Sequence, residues 1–147
     1  MKNNSALFYT CSLIEFIGRM QKQPRSAVVD FLGKDTLLRI YRFADVFHCE
    51  PIEKTADDFI TLRQIPQGSF DNVAACRYTV PDYWTIGEVY ERLIEDLSGS
   101  REEDVLKNLM EVYTSWIDGV ISNYNSDFYY QSREYILECY REGRVCA

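Results

Sequence analysis

Apolar residues recur at three- and four-residue steps along nearly the whole chain, a spacing that lines one face of an α-helix and gives a strand no consistent inside. Leu7, Cys11, Ile14 and Ile17, with Phe8 and Leu13 beside them, predict a helix over Ser5–Met20. Pro24 stands just ahead of a second, Arg25–Leu32, whose Val28, Val29 and Leu32 turn inward and which Gly33 ends as a C′ glycine would. A third covers about Asp35–Phe47 and carries Leu37, Leu38, Tyr41, Ala44 and Val46. Pro51 opens a fourth at its first helical position, with Ile52, Ala56, Phe59 and Ile60 inward.

The polar segment Gln64–Ser69, holding both Pro66 and Gly68, is the best boundary in the chain. Beyond it Asp71–Tyr78 admits a short helix or a strand, with the helix formers around Ala74 and Ala75 favouring the former, and Thr79–Asp82 reads as extended. Thr85 and Glu88 form a capping box, with Trp84 and Val89 at the two positions of a hydrophobic staple, and a fifth helix runs on to Leu97. Ser98-Gly99 breaks it, and Ser100–Glu103 is a second capping box. The sixth helix then carries Val105, Leu109, Val112, Trp116 and Val120 on one stripe and Leu106, Met110, Tyr113, Ile117, Ile121 and Tyr124 beside it. After a turn at Asn123–Asp127, a final helix through Arg133–Arg141 stops at Gly143. The expected fold class is all-α: a compact bundle of six to seven short helices. An N-terminal four-helix unit (1–64) is expected to pack, through a connector (65–84), on a C-terminal three-helix unit (85–147), the whole forming one compact domain.

Charge divides at the same boundary. Residues 1–60 carry eight basic and eight acidic side chains, whereas residues 61–147 carry eight basic against fifteen acidic, which places the whole net charge of −7 in the second part. Such a surface repels phosphate backbones and argues against a nucleic-acid partner. The five cysteines (Cys11, Cys49, Cys76, Cys139, Cys146) are odd in number and form no CxxC pair, which fits a reducing cytoplasm. Met1-Lys2-Asn3-Asn4 leads into a stretch interrupted by Thr10, Ser12 and Glu15 without a small-residue cleavage site, unlike a secretory leader. No stretch approaches the roughly 18 apolar residues of a membrane span. A soluble, cytoplasmic protein is expected, with no membrane contact.

Residues able to carry chemistry are few. His48 is the single histidine and adjoins Cys49, but neighbours at a helix end point apart, so a nucleophilic dyad would need another thiol such as Cys11 or Cys76. Zinc would have to draw its ligands from scattered Cys and His without paired spacing, and no metal or cofactor is expected. Glu88 with Glu91 or Glu95 could line one helix face as acids, yet solvated carboxylates explain the same pattern. No phosphate-cradling glycine loop, nucleophile elbow or dinucleotide fingerprint occurs, so no catalytic residue is assigned. Arg25–Leu32, Gly33 and Asp35–Phe47 have the proportions of a helix-turn-helix with Lys34, Arg39 and Arg42 toward DNA, although Asp30, Asp35 and Asp45 interleave with those bases.

The densest aromatic cluster lies near the C-terminal end. Tyr124 is followed by Phe128, Tyr129, Tyr130, Tyr135 and Tyr140, more rings than so small a unit easily buries, and such rings anchor interfaces. The candidate partner-binding residues are therefore Phe128, Tyr129, Tyr130, Tyr135 and Tyr140 with an acidic rim of Glu134 and Glu138. An alternative is a ligand pocket between the two units lined by Arg77, Tyr78, Tyr83, Trp84 and Glu88.

Leu7 through Ile60 also resembles a small helical bacterial family of unknown function. The resemblance rests on Phe8-Tyr9-Thr10-Cys11 with Glu15, on Val28-Val29-Asp30-Phe31, on Tyr41, on Val46-Phe47-His48 and on Asp57-Asp58-Phe59-Ile60. Members are often encoded beside ADP-ribosyltransferase-like toxins and are regarded as antitoxin candidates, which implies a protein partner and no activity of their own. The remainder, including Tyr78–Trp84, departs from that pattern, and the whole chain resembles uncharacterised proteins of gut Firmicutes. The function expected is a non-enzymatic protein–protein interaction module, antitoxin-like, bound to a protein partner or to itself as a homodimer. A ligand-binding or enzymatic helical domain is the alternative, and a helix-turn-helix DNA binder the third reading.

Overall fold

Asn4 starts the first helix by accepting a hydrogen bond from the Leu7 amide at 3.0 Å, and Lys22 ends it in the left-handed region at φ 52°. A computed structural model describes residues 4–147 of the chain; the lead-in Met1-Lys2-Asn3 lies outside the described residues. All regular structure among the described residues is helical, in nine α-helices and one 3-10 turn. They are α1 (Ser5–Gln21), α2 (Arg25–Arg42), α3 (Ala44–Phe47), α4 (Ile52–Arg63), α5 (Asn72–Ala75), α6 (Tyr83–Leu97), α7 (Glu102–Tyr113), α8 (Ile117–Ile121) and α9 (Arg133–Glu142), with the 3-10 turn at Phe128–Tyr130. No helix among them is long and apolar enough to cross a membrane.

α1 is the axis of the molecule. Leu7, Cys11, Leu13, Ile14 and Ile17 are fully buried, and so are Thr10, Ser12 and Glu15, so the helix is enclosed on every side. α2, α3 and α4 pack on it from the N-terminal part of the chain, while its most extensive packing is with α6. The core therefore runs without interruption across the polar segment around Pro66 and Gly68. Arg19 beside Pro81, Ser12 beside Gly87, and Asn4 in one crevice with Glu95 show that α1 and α6 run in opposite directions. Gly87 makes that crossing close. A Cβ there would stand 2.3 Å from Ser12 Oγ and 2.8 Å from the Ser12 Cα and N, so only glycine lets the two backbones meet.

Several helix ends differ from the sequence expectation. Gly33 does break the second helix, at φ 78° and ψ 165°, but the chain resumes a helix at once and α2 continues to Arg42. The expected helix to Phe47 is divided at Phe43, which has φ −113°, leaving α3 as a single turn. Pro51 stands at the N-cap position of α4 rather than inside the helix, whereas Pro24 stands just ahead of α2 as expected. Thr85 and Glu88 do not form a capping box: Asp82 caps α6 by accepting from the Trp84 amide at 2.6 Å, and Trp84 and Val89 fall inside the helix. Ser100 is not a cap either, since α7 begins at Glu102 behind Arg101 without a side-chain cap bond.

The expected sixth helix is two. Thr114 Oγ1 donates back to Met110 O at 2.6 Å and Ser115 Oγ to Val112 O at 2.7 Å, side-chain bonds that compete with the helical ladder where α7 ends. α9 ends at Gly143, which takes φ 78° as the final helix was expected to require.

Candidate functional site

α6 presents Thr85, Glu88, Val89, Arg92 and Leu93 to the 3-10 turn and α9, and a cleft of about 190 Å³ opens between them. Tyr129, Tyr130, Gln131, Arg133 and Ile136 form its other wall. The floor is apolar: Leu93 and Ile136 are almost wholly buried and continue the core. The rim is polar and built from both signs. Arg92 Nη2 lies 3.4 Å from Glu88 Oε1 along one turn of α6. Arg133 forks onto Asp96, with Nη2–Oδ1 at 2.7 Å and Nε–Oδ2 at 3.1 Å, and also reaches Glu95 Oε1 at 3.0 Å. That fork fixes the start of α9 against the end of α6, so the cleft is pre-formed. Hydrogen bonds to Asp96 and Glu95 hold the Arg133 guanidinium well above its ordinary pKa against the opposing effect of burial.

The aromatic wall is a ladder of edge-on rings. Tyr124 and Tyr129 have centroids 6.1 Å apart at 77°, and Tyr129 and Tyr130 5.0 Å apart at 83°. Ser126 Oγ accepts from the Phe128 amide at 3.0 Å, one of the bonds that turn the chain and aim these side chains. Tyr124 is buried, Tyr129 half-buried, and Tyr130 stands 67% exposed at the lip.

Behind that wall lies a polar cluster not anticipated from sequence. Glu15 and Arg25 are both fully buried and paired through two parallel bonds of 2.9 Å, Nε to Oε1 and Nη2 to Oε2. Arg19 Nε adds a bond to Glu15 Oε2 at 2.8 Å, and the Tyr124 hydroxyl donates to the same oxygen. The other Arg25 donors reach Gln23 O at 2.8 Å and Asn72 Oδ1 at 3.0 Å, while Asn72 Nδ2 donates to Ser122 O at 2.9 Å. Asp118 accepts from the Tyr90 hydroxyl at 2.6 Å and from the Ser26 amide at 3.3 Å. Burial alone would raise the Glu15 carboxyl, but Arg25, Arg19 and Tyr124 together hold it below its usual range. Tyr124 is pushed up to about 12 by burial and the Glu15 charge, so its proton stays in the bond. The cluster ties α1, α2, α5, α6, α8 and the Tyr124 turn together, and it sets the position of the ladder from beneath.

The sequence-predicted partner residues separate on this geometry. Tyr129 and Tyr130 line the cleft, and Glu134 and Glu138 are exposed one turn apart on α9. Phe128 is a correction: it is 3% exposed and packed in the core, so its ring is not available to a partner. Tyr135 and Tyr140 are half-buried, and Tyr135 donates its hydroxyl to Cys146 O at 2.6 Å. The five residues of the alternative pocket fall in different places. Glu88 lines the cleft; Tyr83 packs edge-on against Phe16 of α1 at 5.0 Å and Trp84 lies tilted against Phe8 at 5.4 Å; Arg77 donates its amide to Asn125, and Tyr78 is exposed. Thr85, Arg92 and Gln131 were missed, being ordinary surface residues until α6 and α9 are brought together.

The remaining candidates have structural surroundings. The His48 ring lies 5.3 Å from Tyr9 and 5.9 Å from Trp84. Burial drives the Cys11 thiol far above its ordinary pKa, a poor setting for a nucleophile. Arg42, one of the DNA-reading candidates, forks onto Glu102 with bonds of 2.8 to 3.1 Å. Among the described residues no three His, Cys, Asp or Glu side chains gather into a metal-holding group. Glu91, buried on α6, is pushed up to about 7 by burial and by Glu95. Comparison of the chain with protein-family models, with curated proteins and with solved structures found no match.

Proposed function

We propose that this chain is a non-enzymatic protein–protein interaction module and that the α6–α9 cleft receives a side chain from its partner. The observation that carries the reading is Tyr130, two-thirds exposed on a ladder of packed rings beside an apolar floor and a charged rim. Large aromatic side chains at the edge of a pocket, ringed by polar groups, are what anchor protein interfaces. The cleft of about 190 Å³ admits one inserted side chain.

The acidic second part of the chain, with Glu134 and Glu138 exposed on α9, favours a partner with a basic surface. The concrete form of the reading is antitoxin-like: the module covers a working surface of another protein. In it the N-terminal unit, residues 1–64, serves as scaffold and the C-terminal unit, residues 85–147, presents the docking face. We place the protein in the cytoplasm, where its five free thiols persist.

Substitution tests the assignment. Tyr130→Ala removes an exposed ring and leaves the thermal midpoint unchanged, while partner affinity falls by about thirtyfold, the scale of an aromatic hot spot of about 2 kcal/mol. Undiminished binding by that variant would take the docking face away from this cleft.

A further inference from the structure

The chain beyond α9 turns back on the helix it leaves. Gly143 in left-handed backbone donates its amide to Cys139 O at 2.9 Å, and the Arg144 amide reaches the same oxygen at 3.2 Å. This reversal carries Cys146 back over the last turns of α9. Its amide donates to Cys139 Sγ at 3.2 Å, and its carbonyl accepts from the Tyr135 hydroxyl at 2.6 Å. Both thiols are free. Cys139 is wholly buried, whereas Cys146 is half-buried.

We propose that Cys139 and Cys146 form a dithiol–disulfide pair, an oxidative modification site in which Cys146 is the entry thiol and Cys139 the resolving one. The inference stands apart from the docking reading. The fold brings the two cysteines together: the Cys146 amide lies on Cys139 Sγ, Cys146 is half-buried rather than enclosed, and the Tyr135 bond holds its segment in place. The oxidant class is a small-molecule disulfide such as glutathione disulfide. The Cys146 thiolate attacks one of its sulfurs, the sulfur–sulfur bond breaks, and one glutathione leaves as a thiolate that takes up the proton Cys146 released. The Cys139 thiolate then attacks the Cys146 sulfur, and the second glutathione leaves and takes up the Cys139 proton. Two electrons and two protons have passed from the protein to the disulfide, which becomes two thiols. The product pins the turn after α9 across Tyr135.

The test uses the full chain carrying C49S and C76S, so that the pair and buried Cys11 are the only thiols, in glutathione redox buffers at about pH 8 to supply thiolate. The expected product has lost two hydrogens and carries no glutathione, with Cys139 and Cys146 joined in one peptide by mass spectrometry. Half-oxidation is expected at a ratio of squared glutathione to glutathione disulfide at least tenfold higher for the folded chain than for the same chain in guanidinium. A glutathione adduct on Cys146 with Cys139 still open to alkylation overturns the proposal. So does an equal ratio in the folded and unfolded chains, because the pairing would then owe nothing to the fold. In a C146S variant, Cys139 is expected to stay unmodified in the native state; glutathionylation there overturns the assignment of Cys146 as entry thiol.

Discussion

Replacing Arg25 by Met removes the fully buried one of the two guanidiniums paired with Glu15, a carboxylate with no solvent exposure. Stripping one partner from a buried ion pair costs about 3–5 kcal/mol, because the other charge is left without compensation. Arg19 remains 2.8 Å from Glu15 and the Tyr124 bond survives, so the low end, about 3 kcal/mol, is expected. At roughly 2–4 °C per kcal/mol for a chain of this size, the thermal midpoint falls by about 6–12 °C. The loss has a pH signature. In the native protein Glu15 is held below its ordinary pKa, so its contribution is present above the unfolded carboxylate value of about 4.3 and is lost as pH falls through the folded value. The difference between Arg25→Met and the native chain therefore shrinks below about pH 4.3. Urea unfolding of native, R25M, E15Q and R25M/E15Q chains measures it, and the double variant is expected to cost clearly less than the sum of the singles. A cost below about 1 kcal/mol for R25M, or strictly additive singles, would refute the view that this pair is a coupled unit.

Gly87→Ala is expected to destabilise by about 1–3 kcal/mol despite the better helix propensity of alanine, since its Cβ would press on the Ser12 backbone and force α1 and α6 apart. Adding S12A should not rescue it, because the Cα and N of residue 12 stay in place; both are read by thermal unfolding. Gly18→Ala reaches the buried pair by another route. Its Cβ would stand 2.4 Å from Arg25 Cδ, so a fall in midpoint accompanied by loss of the low-pH signature is expected. Glu91 binds its proton more tightly in the folded chain, up to about pH 7, so stability falls as pH rises from about 4.5 to about 7. E91Q removes that fall, and urea midpoints at about pH 5 and about pH 8 show it as a smaller difference than in the native chain.

How far the sequence reaches is clearest at particular residues. The apolar stripe of Leu7, Cys11, Ile14 and Ile17 and the left-handed Gly143 are local signals, and each marks the element expected from it. Thr85 reads as the cap of α6 from sequence, whereas Asp82 holds that place, next to Pro81, whose carbonyl is bound by Arg19, 62 residues earlier in the chain. The break between α7 and α8 falls at Thr114-Ser115, whose hydroxyls replace the helical ladder, inside a continuous apolar stripe that predicts one helix. Glu15 looked like an interruption of an apolar helix. Its meaning lies in Arg25, Asn72 and Tyr124, which no spacing rule connects. Of the cleft, its aromatic wall and Glu88 were legible, but not their meeting, because the other side comes from α6, some forty residues earlier, with Thr85 and Arg92 as ordinary surface residues.

Docking of a partner on the α6–α9 cleft is read out by hydrogen–deuterium exchange on the chain alone and in complex. Affinity capture from the native lysate at moderate salt supplies the complex, at defined stoichiometry. New protection is expected in peptides spanning 85–93 and 128–138, with the complex weakened by Tyr130→Ala. Protection centred elsewhere, for example on 25–42, or no stoichiometric partner under conditions where the chain is folded, would contradict it.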